Sequence, residues 1–220
     1  MKFSLLDNGV DSLKTAHNDL NEFNNLAEGG HYLIKNATIF LSHGIELLLK
    51  FILKENSQSF MFENIKMYMN AKERLSKDKN GAKTVFDVEP KLRTVCLTDA
   101  LKRIEYLCDI ELPTRFTDTV LHVNKIRNNI MHYAIELDEQ ETDTLIKHLK
   151  VCYDEAVDFF CMHIEDLEGM IDEPRFELSY EEYEEQLKEE YGENYAEMQR
   201  EDALLDLMEM GYEDKGEGRW

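Results

Sequence analysis

The sequence is short of the residues that interrupt helices. It has only 3 Pro and 10 Gly among 220 residues, which leaves long stretches free to be helical and excludes collagen-like and disordered classes. Its four cysteines, Cys96, Cys108, Cys152 and Cys161, make no C-x-x-C or C-x-x-H pair. That argues against a zinc knuckle or a redox dithiol, and four reduced thiols in mostly apolar surroundings are expected. No uncharged apolar run reaches the roughly 18 residues of a membrane span, and MKFSLLDNGVDSLK has no basic stretch leading into a continuous apolar one. A cytoplasmic protein with no membrane partner is therefore expected. A Gly-rich phosphate loop, a G-x-S-x-G elbow and a recognisable Cys-His arrangement are also missing, so no cofactor is expected.

Positive charge is scarce as well. The balance of 25 Lys and Arg against 46 Asp and Glu gives a net charge of −21. Such a balance disfavours indiscriminate nucleic-acid binding, because that affinity comes from basic groups releasing counterions. The deficit is uneven: residues 173–220 carry 17 acids and 5 basic residues, whereas residues 1–172 carry 29 and 20. The shift divides the chain into a main domain, 1–172, and an acidic helical extension, 173–220. The extension is either a solvated appendage or a cover, docking through Leu204, Leu205, Leu207 and Met208, that places carboxylates over a basic groove.

What is abundant is helical periodicity. Val10, Leu13, Leu20 and Phe23 predict a helix over 9–27 that stops before Gly29-Gly30. HYLIKNATIFLSHGIELLLKFILKEN, residues 31–56, is apolar nearly all round, with a narrow polar stripe of Asn36, His43, Glu46, Lys50 and Lys54. Such a helix should run through the middle of a bundle. A shorter helix is expected over 60–75 and a turn at Asn80-Gly81. The β-branched runs KTVF and RTVCL on either side of Pro90 are read as a small β-hairpin. Thr98 is expected to cap a helix through Cys108. Pro113 then precedes a helix with Phe116, Val120, Val123, Ile126 and Ile130 on one side, and a long helix should run from Asp138 to Ile171. Beyond Pro174, Ser179 with Glu182 forms a capping-box pattern, and Gly192 and Gly211 mark helix ends. The fold class is all-α: an antiparallel helical bundle with a small hairpin insertion and an acidic extension.

The residues suited to chemistry are Arg127, Asn128 and His132 in KIRNNIMHY. Metal-independent RNA cleavage needs a base for the ribose 2′-hydroxyl, an acid for the leaving 5′-oxygen and positive donors around the phosphate. Histidine performs either proton transfer near neutrality, and arginine offers a fork of donors matched to phosphate oxygens. Five residues turn Arg127 and His132 about 140° apart on an ideal helix. Convergence would therefore need two copies meeting at a symmetry axis or a distorted helix end. His43 and Glu46, three apart, have a spacing compatible with metal ligation, but no second cluster accompanies them, and no metal is expected. They either cap the polar stripe of a buried helix or hydrogen-bond the motif helix. Lys125, Arg115, Arg103 and Arg93 are either a local basic groove or scattered solvated charges. His122 is too far from His132 for a simple pair within one chain.

KIRNNIMHY resembles the HEPN motif, an Arg and a polar residue followed after a short gap by His, on a late helix of a bundle. FLSHGIELLLKFIL resembles the long earlier helix of prokaryotic HEPN proteins, and TDALKRIEYL extends the likeness, which covers roughly residues 5–170. The resemblance implies a dimeric helical bundle and a metal-independent endoribonuclease of a toxin-antitoxin or antiviral system, leaving 2′,3′-cyclic phosphate ends. It implies Arg127 as phosphate binder, His132 as acid or base and Asn128 as the polar companion; Lys125, Tyr133, His43 and Glu46 are further candidates for binding or support. The implied partners are an RNA substrate, a second copy and an antitoxin or other protein. HEPN toxins paired with minimal nucleotidyltransferases carry Tyr two places after the His; here that place is Ala134, with Tyr133 one place early. The alternatives are a noncatalytic HEPN-like module that binds RNA, a nucleotide or a protein, and a purely structural dimer.

Overall fold

The computed structural model describes residues 3–26, 28–175, 178–192, 199–206 and 208. Chain contacts divide it into two units, Met1–Glu173 and Pro174–Trp220. The first contains α1 (Leu5–Glu22), α2 (Gly30–Asn56), α3 (Ile65–Lys77), α4 (Val85–Val88), α5 (Leu97–Leu107), α6 (Thr114–His132), α7 (Glu139–Cys161) and α8 (Leu167–Asp172). The second contains α9 (Tyr180–Tyr191) and helical residues 199–206. The fold is an all-α helical bundle. Among the described residues the nearest thing to a sheet is one isolated bridge, Phe62 to Thr94.

Helix α2 is the axis of the first unit. It packs against α1, α5, α6 and α7, and Leu41, Ile45, Leu48, Leu49 and Leu53 on it are fully buried. That explains why its sequence is apolar nearly all round: neighbours cover most of its circumference. By length and composition α2 alone among the described helices could cross a membrane, yet 61% of the qualifying stretch is buried inside the fold.

The tightest approach is between α1 and α2, where Gly9 faces Gly44. A Cβ on Gly44 would stand 2.9 Å from the Gly9 carbonyl oxygen and 3.1 Å from the Leu13 side chain. The two helices can lie this close only while the position stays bare. Alanine there would gain about 1 kcal/mol of helix propensity, but its methyl would press on main chain that cannot rotate away. Gly44→Ala is expected to lose about 1–3 kcal/mol net, the range for overpacked cores, measured as a lowered denaturant midpoint at constant m-value.

Three sequence expectations are corrected. Residues 83–86 are not a strand: Thr84 caps the single turn of α4, exchanging hydrogen bonds with Asp87, and Thr94 bridges Phe62 instead of pairing with KTVF. The hairpin is absent because a local capping box satisfies the backbone that a strand would leave open. The helix expected from Asp138 to Ile171 is two helices, α7 and α8, separated by a turn in which Asp166 takes a left-handed conformation, φ 55°. The break lets both Ile164 and Leu167 enter the core. The thiols are all free, but Cys152 alone is buried, and that burial pushes its pKa up to about 12; Cys96 and Cys161 are exposed.

In the acidic unit, Ser179 and Glu182 do form the capping box, and Gly192 with φ 52° ends α9. Leu204, Leu205 and Met208 are exposed. Leu207 and Gly211 lie outside the described residues.

Candidate active site

Three buried residues of α6, Phe116, Val120 and Val123, are spaced four and three apart. Continuing that spacing by four reaches Arg127. At about 100° per residue, Arg127 falls within roughly 40° of all three. The guanidinium thus occupies the next place in a core stripe and is half-buried against α2. Its Nη1 donates to Asn128 Oδ1 at 3.0 Å. The planned companions are therefore in contact, the amide holding the fork in place.

The group that Arg127 meets across the helix boundary is on α2. His43 is half-buried, and its pKa is pushed down by burial first. Glu46 opposes that shift, and Lys50 and Arg127 reinforce it. Beside it, Lys50 Nζ donates to Glu46 Oε1 at 2.6 Å and to Thr94 Oγ1 at 3.1 Å. His43 thus feels two cations, Lys50 and Arg127, and one carboxylate, Glu46, and its pKa lies below the usual imidazole value. Two cations against one carboxylate make the surroundings of His43 locally positive in a chain of net charge −21, which suits an anion such as a phosphodiester.

His132 is elsewhere. It is the last residue of α6, where Tyr133 leaves the helix at φ −146° and ψ −136° while its N–H still donates to Asn129 O at 2.9 Å. The imidazole is exposed, as is Lys125, and Tyr133 is 89% exposed. Among the described residues no hydrogen bond or ion pair engages the His132 side chain. Helical geometry turns it about 140° away from Arg127. In one copy of the chain, then, Arg127 is brought to Asn128 and His43, and His132 is presented outward beside Tyr133.

Two members of the supposed basic groove have other duties. Arg103 donates to the carbonyls of Phe60 at 2.8 Å, Phe62 at 2.7 Å and Glu63 at 3.3 Å, fastening the turn before α3. Arg115 pairs with Glu155 at 3.0 Å. Neither extends the cluster around His43. Among the described residues, no three His, Cys, Asp or Glu side chains gather as metal ligands.

Glu46 and Lys50 have the i,i+4 order of an ordinary helical ion pair and form one; sequence reading missed Thr94 as a further partner of Lys50, and it missed His148. His148 Nδ1 lies 3.1 Å from His122 Nε2, joining α7 to α6. The pKa of His122 is pushed down by burial, then by His148 and Lys125. The signal available was that both residues interrupt the polar flanks of helices next to each other in the chain, but only the fold sets their register.

Both depressed imidazoles make stability depend on pH in one direction. Each is protonated more readily in the unfolded chain, near its usual 6.5, than in the native one. Their contribution is complete above that value and is lost as pH falls below it. Thermal stability should therefore decline from about pH 7 to about pH 5.5, above the range where most carboxylates titrate. The His43→Gln/His122→Gln variant should show a flatter profile. A wild-type melting temperature unchanged over that interval would contradict the assignment.

No family model, curated protein or solved structure matches the chain. The likeness to HEPN proteins accordingly rests on the three segments quoted above.

Proposed function

We propose that this protein is a HEPN-like, metal-independent endoribonuclease that acts as a homodimer in the cytoplasm, within a toxin-antitoxin or antiviral defence system. The observation that carries this reading is the placement of Arg127. A guanidinium continues a core stripe, bonded to Asn128, beside a cluster of net positive charge around His43 on a strongly acidic protein. Arg127 grips the scissile phosphate, and the outward-facing His132 of a second copy supplies or accepts the proton. Asn128 orients the guanidinium, Lys125 and Tyr133 flank the RNA strand, and His43 with Glu46 fixes the charge of the cluster. A two-fold assembly accommodates the 140° divergence within each copy, since the partner brings its helix end to the other's Arg127.

A second reading, a noncatalytic module that binds RNA, a nucleotide or a protein, is favoured by the absence, among the described residues, of any side-chain partner for His132. Incubating the purified protein with total RNA in excess chelator and analysing the new ends separates the two. Cyclic 2′,3′-phosphate ends produced by the wild type, and lost when Arg127 and His132 are both replaced by Ala, are expected. RNA that is retained but uncut would favour the module.

A further inference from the structure

The contact between His122 and His148 is placed unlike a routine helix-helix contact. Both residues are exposed, their ring nitrogens are 3.1 Å apart and their rings stand nearly perpendicular, at 85°. They form one wall of a hollow of about 410 Å³, which Gln140, Glu141 and Thr144 also line. The hollow is open to solvent, its remaining wall is apolar, from Ile126, Ile135, Leu137 and Leu145, and no acidic side chain among the described residues joins the pair as a third ligand.

Two facing ring nitrogens can share a proton or a cation. If each were about 2.05 Å from one metal ion, as imidazole ligands of zinc are, a 3.1 Å separation would correspond to an angle of about 98° at the metal. That lies between the octahedral and tetrahedral values, so the separation of the two nitrogens is one that a single ion can span once the shared proton is displaced. His148 would ligate through Nδ1 and His122 through Nε2, leaving the other nitrogen of each ring protonated and free to donate to water or to a neighbouring carbonyl. The chain's net charge of −21 raises the local concentration of divalent cations.

We propose that His122 and His148 form a two-imidazole site for a late first-row divalent cation, Zn²⁺ or Cu²⁺, with water completing its coordination. Imidazole is the ligand type these ions favour. Two protein ligands leave positions open, so the ion clamps α6 to α7 and stays exchangeable. This site does not depend on the nuclease reading and takes no part in the chelator-resistant cleavage proposed above.

The test is calorimetric titration of the full chain with ZnCl₂ near neutral pH, alongside His122→Gln, His148→Gln and the double variant. Both positions are exposed, so the variants are expected to fold, and circular dichroism checks this. The exposed thiols Cys96 and Cys161 provide a background common to all four proteins. The wild type should show one site more than the double variant, and each single variant should weaken that site by at least about tenfold. Imidazole nitrogen resonances of these two residues should shift on Zn²⁺ addition. A wild type that binds no more Zn²⁺ than the double variant would reduce the pair to a simple hydrogen bond and overturn the proposal. So would single variants with undiminished affinity.

Discussion

His132→Ala is expected to lower chelator-resistant RNA cleavage by about 10²–10⁴-fold, the usual worth of a positioned proton-transfer group. Stability should change by no more than about 0.5 kcal/mol, because the imidazole is exposed and engages no side chain. Arg127→Lys should also impair cleavage, since an ammonium keeps the charge but loses the fork that matches two phosphate oxygens. Mixing the variants locates the two groups. If Arg127 of one copy works with His132 of the other, random pairing of Arg127→Ala and His132→Ala chains makes hybrid dimers with one intact site. Roughly a quarter of wild-type activity should then return. Mixtures that stay inactive while forming hybrid dimers would place both groups of each site in one chain, against the 140° geometry. A fully active His132→Ala protein would remove the residue from the mechanism.

The second large effect is on folding. Glu46→Ala is expected to cost about 3–5 kcal/mol, the penalty for stranding a buried charge. Lys50 is only 8% exposed and is matched by Glu46 at 2.6 Å, with Thr94 as a further acceptor at 3.1 Å. Without the carboxylate, the ammonium keeps one neutral partner in a place where water does not reach freely. Replacing the pair together, as Glu46→Leu/Lys50→Met, should recover most of the loss, because no unpaired charge then remains. Exposed pairs such as Glu73 with Lys77 should be dispensable by comparison. Denaturant titrations of the single and double variants, combined as a thermodynamic cycle, give the coupling directly. A Glu46→Ala protein as stable as the wild type would mean that the pair is better hydrated than its geometry implies.

The parts of the fold legible in the sequence were those determined within one helix. Helix α2 could be delimited nearly to its end residues because apolar side chains all round it admit only a central position, and the buried face of α6 followed from Phe116, Val120 and Val123. Features decided by a short-range exchange were harder. The Ser4 and Asp7 capping box starts α1 at Leu5, ahead of the first periodic apolar residue. Thr84 and Val85, β-branched and strand-like by propensity, belong to a capped helical turn. The break between α7 and α8 has neither Pro nor Gly at its centre to announce it. For the candidate site, spacing alone already separated Arg127 from His132 around α6. Spacing left open whether His43 faces the motif helix, where it feels the charge of Arg127, and could not reveal that Thr94 accepts from Lys50 or that His148 meets His122. Those relations depend on helix register, which side-chain packing sets.

The termination of α6 at His132 has a mechanical consequence. The final turn of a helix has carbonyls with no following amides to hold them, so the imidazole rides on a segment that loosens easily, while Arg127, more than a turn upstream, is half-buried within the hydrogen-bonded body of α6. Separation between the two is therefore adjustable at one end only. Under the proposed function, a strand of RNA held between two copies would stiffen that end as it bound, making substrate capture and the tightening of the site a single event.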